Sequence, residues 1–216
     1  MNTKTKKLAL LGLFSAFAYI LTIFARIPIS SVEFLKYDPK DVIIVILGFI
    51  MGPASAMGVT VAVSLIEAVT VSTTGLIGFV MNVLSTASFA CVAALVYKKR
   101  RTLGGAIIGL ISGVTLMCGV MLLWNYLITP LYMSLDREII KGMLLPVFLP
   151  FNLIKGSINA ALAMLLYKPT VKALKSTKLM EGNESSKGDV KFSVIFVCAL
   201  VLVSCVLGIL IIKGII

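Results

Sequence analysis

Between Asp41 and Lys98 the sequence carries a single charged side chain, Glu67. A stretch that long with one charge cannot alternate between a wetted surface and a core. It reads as helices crossing a bilayer, where each backbone N–H and C=O is satisfied within its own segment. The whole chain agrees: of 216 residues, 59% are hydrophobic and 13% charged. That balance describes an all-α integral membrane protein. A net charge of +11 would suggest nucleic acid in a soluble protein. Here the basic residues sit in short segments between apolar runs, where they orient the chain and give no reason to expect a nucleic-acid partner.

The first span is expected at 8–24. Lys4, Lys6 and Lys7 precede it and Ala16-Phe-Ala18 imitates a signal-peptidase site, but the apolar run continues beyond that site and is read as a span. A polar segment follows from Arg26 to Asp41, with Pro28 and Pro39 opposing a continuous helix. Loop charges decide the next assignment. If 42–66 were one span and the N-terminus lay inside, Lys98-Lys-Arg-Arg101 and the basic tail after Tyr167 would both fall outside. A turn at Met51-Gly-Pro53 instead gives spans near 42–51, 54–71 and 76–97. It puts the N-terminus, the Lys98–Arg101 cluster and the tail on the cytoplasmic side, and Arg26, Lys36, Lys40, Arg137, Lys141 and Lys213 outside. The 42–51 piece is too short to cross unaided and is expected to tilt against its neighbours or start in the interface. Spans 103–128 and 144–167 follow. The expected units are a membrane domain at 1–170, a solvated linker at 171–191 and an appended transmembrane helix within 192–216.

Lys155 lies inside the last span of the main domain, where a charge costs about 2.5–3.5 kcal/mol by insertion scales. Asn152 three residues before and Asn159 four after share its helix face. Asn82, Asn125 beside Trp124 and Tyr126, and Glu67 add polar groups in the outer halves or middles of other spans. A pocket open to the outside follows, able to read the polar edge of a heterocycle while aromatic and aliphatic groups hold its faces. Blander roles stand beside these. An intramembrane Asn often joins helices, at about 0.6 kcal/mol. Lys155 could pair with Glu67 or a loop acid. Trp124, Tyr126 and Tyr132 suit an interfacial aromatic belt. Gly12-Leu-Phe-Ser-Ala16, with Ala9, has small-residue spacing that permits close approach of another helix, either inside the bundle or from a partner.

No P-loop, HExxH or G-x-S-x-G motif occurs, there is no histidine, and the four cysteines lack C-x-x-C spacing. ATP binding, hydrolysis and a zinc or thiol-redox centre are therefore not expected, and no cofactor is. Nor does an internal repeat of the kind built into ion-coupled carriers emerge.

Five stretches in order, Phe34-Leu-Lys-Tyr-Asp-Pro-Lys-Asp41, Gly48-Phe-Ile-Met-Gly-Pro53, Ser72-Thr-Thr-Gly75 with Gly78 and Asn82, Trp124-Asn-Tyr126 with Pro130-Leu-Tyr132, and Pro150-Phe-Asn-Leu-Ile-Lys-Gly156, resemble the substrate-binding S components of energy-coupling-factor (ECF) vitamin transporters, most closely the riboflavin-specific branch. The resemblance covers residues 8 to about 170. It implies a six-helix bundle in a bacterial cell membrane, here with one extra C-terminal helix, and not an enzyme. It implies riboflavin bound at the outer side, under a lid formed by Glu33, Phe34, Leu35, Lys36 and Tyr37, with Asn82, Trp124, Asn125, Asn152 and Lys155 around the ligand. It also implies that Ala9, Gly12 and Ala16 dock a transmembrane coupling subunit served by two ATPases. Two departures are visible. Asn152 stands where some relatives carry Asp, and the seventh span has no counterpart in the minimal family fold. Rival readings are an S component for another vitamin or flavin (FMN or roseoflavin), a lipid-modifying membrane enzyme, and a membrane packing or assembly protein.

Overall fold

A computed structural model describes residues 3–28, 32, 35–176 and 192–212. Its helices are α1 (Thr3–Phe24), α2 (Lys40–Met51), α3 (Pro53–Thr70), α4 (Gly75–Lys99), α5 (Leu103–Leu127), the short α6 (Thr129–Met133) and α7 (Arg137–Met143), then α8 (Leu149–Ser176) and α9 (Phe192–Ile212). Five of the described helical runs are long and apolar enough to cross a membrane. The only strands described are β1 (Ile27–Pro28) and β2 (Lys36–Tyr37), antiparallel with Ile27 opposite Tyr37.

The turn expected at Met51-Gly-Pro53 is present. Gly52 ends α2 at φ 92° and Pro53 opens α3, the division of labour that glycine's freedom and proline's missing N–H favour. At 12 residues, α2 is about 18 Å long. Its far end packs Phe49 against Tyr97, with ring centroids 4.6 Å apart. Tyr97 in turn meets Tyr167, hydroxyl to hydroxyl, at 3.1 Å. These contacts gather the ends of α2, α4 and α8 beside Lys98–Arg101, at what we call the basic end of the bundle.

Helices α4 and α5 form the tightest pair. Gly109 and Gly113 lie against the backbone of α4; a Cβ on either would stand 2.7 Å from the Ala93 carbonyl oxygen or 2.5 Å from that of Phe89. Glycines four apart let two membrane helices touch backbone to backbone. This stripe, not singled out in the sequence reading, orders the bundle. The small residues noted on α1 behave otherwise: Ala9, Gly12 and Ala16 are exposed, and nothing lies within 4 Å of a Cβ built on Gly12. They pack no described helix.

The outer loop expected between spans 5 and 6 is partly helical, as α6 and α7. From α7 the chain runs through a π-helical turn, Leu144–Phe148, into α8. Pro146 cannot donate an N–H, and the wider turn, with Leu149 N–H reaching Leu144 O, accommodates it. Helix α8 continues past the expected end at Tyr167 to Ser176, through Pro169. The first residues of the expected linker, 171–176, are thus helical; residues 177–191 lie outside the described residues. Helix α9 coincides with the expected seventh span. It packs on α8 through buried Cys198 and Cys205 and through Ile209, which joins the cluster around Ile140, Phe148 and Phe151.

Candidate functional site

At the end opposite the basic cluster, β2 and the first turn of α2 enter the bundle. Alternation along β2 leaves Lys36 exposed and turns Tyr37 inward. Tyr37 donates to Asn159 Oδ1 at 2.9 Å. Its hydroxyl pKa is raised, first by burial and then by Asp41 and Asp38. Lys40 and Asp41, at the start of α2, are 1% and 0% exposed. Lys40, counted with the outer charges, is thus buried and not solvated: the first turn of α2 starts inside the bundle, where its charge finds two carboxylates.

Six buried or half-buried charges meet here in two groups. In one, the Arg26 guanidinium and the Lys40 ammonium share the Glu67 carboxylate. Each also reaches Asp38 Oδ2, Arg26 at 3.0 Å and Lys40 at 3.1 Å. Thr22 donates to Asp38 from 3.3 Å. Burial opposes ionisation of Asp38, but Lys40, Arg26, Lys155 and the Lys40 N–H outweigh it and hold the carboxyl at about 2. In the other group, Lys155 Nζ stands 3.1 Å from Asp41 Oδ2. Thr86 donates to Asp41 Oδ1 at 2.6 Å and Asn159 to Oδ2 at 3.4 Å. Asp41 at the first turn of α2 also faces the positive end of the helix dipole. Three cations and three anions cancel. Buried charges persist only where such pairing offsets their desolvation.

Lys155 is therefore paired, and its partner is Asp41, not Glu67. The blander of the two sequence readings, an ion pair with an acid of the preceding polar segment, is present in the structure. Lys155 nonetheless lines a cavity, with Ser85 Oγ 3.5 Å from its ammonium.

That cavity lies above the charged floor. Asn82 and Ser85 of α4, Asn125 of α5, Asn152 and Lys155 of α8, and Leu35 and Lys36 of the β2 segment line it, as do Arg26, Asp38 and Glu67. It holds about 80 Å³, room for a few water molecules and far below the roughly 300–1,000 Å³ of ligand pockets. Asn125 donates to Met121 O at 2.7 Å and accepts from Thr129 at 2.9 Å. Asn152 donates to Phe148 O at 2.7 Å. Both amides are held by their own helices. Arg26 keeps its buried Nε without a partner among the described residues.

Six of the ten sequence-predicted binding residues thus converge on one cavity. Trp124 does not line it; it faces a smaller hollow beside it with Ile77, Gly78 and Tyr132, because it precedes Asn125 by one residue and points about 100° away on the helix. Tyr37 is likewise turned behind the cavity, toward Asn159. Glu33 and Phe34 lie outside the described residues. Sequence reading missed Arg26, Asp38, Lys40 and Asp41. Their close spacing in a segment flanked by apolar spans was the available signal, but a charged run between spans ordinarily reads as solvated.

The comparisons with known proteins agree with this architecture. The family profile "ECF transporter, substrate-specific component" matches residues 6–167. The riboflavin transporter RibU of Staphylococcus aureus is 30% identical over 179 residues, which cover 80% of this chain and 94% of that protein. The RibU of Streptococcus thermophilus is 30% identical over 77% of this chain and 83% of its own length. The riboflavin transporter FmnP of Bacillus subtilis is 27% identical over 82% of this chain and 99% of its own. A solved S component of a bacterial ECF transporter superposes with a TM-score of 0.69 at 29% identity, covering 80% of this chain and 99% of that one. A multi-pass helical chain with a polar cavity at one end and a matching profile over most of its length is a transport component: this protein belongs to the family of ECF transporter substrate-specific components.

Proposed function

We propose that this chain is a riboflavin-binding S component that takes the vitamin into the Asn82–Asn125–Asn152–Lys155 cavity and delivers it inward when docked to an ECF module. The observation that carries the reading is the convergence of those four polar side chains, from three helices, on one cavity within the membrane domain. Names of relatives covering four-fifths of the chain supply the ligand class. With the basic end in the cytoplasm, the cavity faces outward. The Arg26 Nε, which has no partner among the described residues, and the Lys155 ammonium offer donors to the carbonyls and hydroxyls of a flavin. Because Arg26 and Lys155 are already neutralised by carboxylates, a phosphate gains less from them than from free cations, and riboflavin is the preferred flavin. A tricyclic ring cannot enter about 80 Å³, so binding widens the cavity.

Coupling is assigned to the exposed Ala9, Gly12 and Ala16 face of α1, which admits a close-packed helix of the transmembrane coupling subunit. Two ATPases of that module supply the energy.

The test is a titration of the purified protein with riboflavin, read by quenching of flavin fluorescence. Lys155→Ala weakens binding at least tenfold, about 1.4 kcal/mol. Unchanged affinity removes Lys155 from the site, and failure of the wild-type protein to bind any flavin ends the proposal.

A further inference from the structure

A large apolar hollow lies away from the polar cavity. It is a groove of about 580 Å³ between α5, α8 and α9. On α5 it is lined by Ile107, Leu110, Ile111 and Val114, and on α8 by Leu153, Ala161 and Met164. Gly156, between the lining residues Leu153 and Ser157, packs α8 closely on α5: a Cβ there would stand 2.8 Å from Val114 and 3.0 Å from Met117. Nearer the basic end, Met164 also borders a small separate hollow with Leu103 and Ala106 of α5, Tyr167 and Lys168 of α8, and Phe49 and Tyr97 of α2 and α4.

Two features fix the chemistry of an occupant. From Leu153 to Met164 the α8 wall of the groove rises about 17 Å at 1.5 Å per residue, close to half of a hydrocarbon core about 30 Å thick. The groove therefore has about the depth of one leaflet. The charge at its mouth is of one sign. Lys168 follows Met164 by four residues and Lys172 follows by four more, so both continue the groove face of α8. The Tyr97–Tyr167 contact holds the last turn of α4, with Lys98 and Lys99, at the same end of the bundle. Every described acidic residue, Asp38, Asp41, Glu67, Asp136 and Glu138, belongs to the opposite end. An aliphatic slot about one leaflet deep, with ammonium groups at its mouth that meet no carboxylate among the described residues, matches a phosphate head with its acyl chain below.

We propose that this groove is a binding site for one anionic phospholipid of the leaflet at the basic end, with an acyl chain between α5, α8 and α9 and its phosphate on Lys168 and Lys172. The lipid fills the space α9 leaves against α5 and so completes the seat of the seventh helix. The proposal does not depend on the polar cavity or on its ligand.

The full chain is reconstituted with equal mole fractions of dioleoyl phosphatidylglycerol and dioleoyl phosphatidylcholine, then extracted, and retained lipid is counted by native mass spectrometry. Phosphatidylglycerol adducts exceed phosphatidylcholine adducts at least tenfold in the wild type, and Lys168→Gln/Lys172→Gln brings the ratio within twofold. Filling the groove with Ala161→Phe, or with Ser157→Leu if that variant is not monodisperse, removes most adducts of both lipids. Equal retention by the wild type, an unaltered ratio in the lysine variant, or full retention in a folded groove-filled variant overturns the proposal.

Discussion

Removal of the Asp41 charge separates the two roles that Lys155 can play. At 3.1 Å the Asp41–Lys155 attraction is about 5 kcal/mol with an effective dielectric constant near 20. Desolvating each ion costs several kcal/mol, so the intact pair roughly breaks even. A broken pair does not. Asp41→Asn keeps the shape and the Thr86 contact but strands a buried ammonium, at a cost of about 3–5 kcal/mol. Lys155→Met in the same chain removes the stranded charge, and the double variant regains most of that stability. Riboflavin affinity behaves differently: the double variant still lacks the ammonium at the cavity wall and binds at least tenfold more weakly than wild type. The buried thiols Cys91, Cys118, Cys198 and Cys205 suit a thiol-reactive dye as the unfolding readout. A loss of about 3–5 kcal/mol corresponds to a Tm drop on the order of 10 °C for a chain of this size. If Asp41→Asn melts with the wild type, the ion pair has no energetic role. If the double variant recovers both stability and affinity, Lys155 serves only to neutralise Asp41.

Other expectations are more local. Gly12→Trp or Ala16→Trp leaves riboflavin titrations unchanged but stops ATP-driven uptake in vesicles containing the whole transporter; normal uptake removes α1 from the docking face. Gly113→Ala drives a methyl into the Phe89 carbonyl at 2.5 Å and costs about 1–3 kcal/mol, read as a lower Tm, whereas Gly12→Ala changes the Tm little. Asp38, held near 2 in the folded chain against about 3.9 unfolded, contributes stability that is complete above pH 4 and is lost as pH falls through 2. The stability gap between wild type and Asp38→Asn is accordingly constant from pH 7 to about 4.5 and shrinks below it; a gap that widens on acidification contradicts the assignment.

The fold was largely legible because lipid imposes simple rules. Uninterrupted apolar length gave α1, α3, α4, α5, α8 and α9, and the asymmetry of basic residues located the Gly52–Pro53 turn that length alone could not. What escaped was tertiary. The Gly109–Gly113 stripe looks in sequence like any pair of glycines in an apolar helix until Phe89 and Ala93 are seen behind it. The convergence of Asn82, Asn125, Asn152 and Lys155 was readable from helix periodicity, since each sits at an expected depth and Asn152 and Lys155 share a face. The orientations of Trp124 and Tyr37 were not, because a one-residue step on a helix or strand redirects a side chain without changing its depth.

The charges of the polar segment hold the harder lesson. Arg26, Asp38, Lys40 and Asp41 look solvated one at a time, but within the bundle they meet Glu67 and Lys155 and sum to zero. Any one of them alone in this setting would be costly; together they form a floor that is polar and electrically neutral. Such a floor can face a cavity without demanding an ion to balance it. A neutral ligand with many hydrogen-bonding groups therefore enters and leaves without stranding a charge, whereas an anion would compete with Asp41 and Glu67 for their cations. The same neutrality bears on how the cavity widens for a ligand: the charged groups satisfy one another, so widening requires movement of the side chains above them and not rupture of the ion pairs.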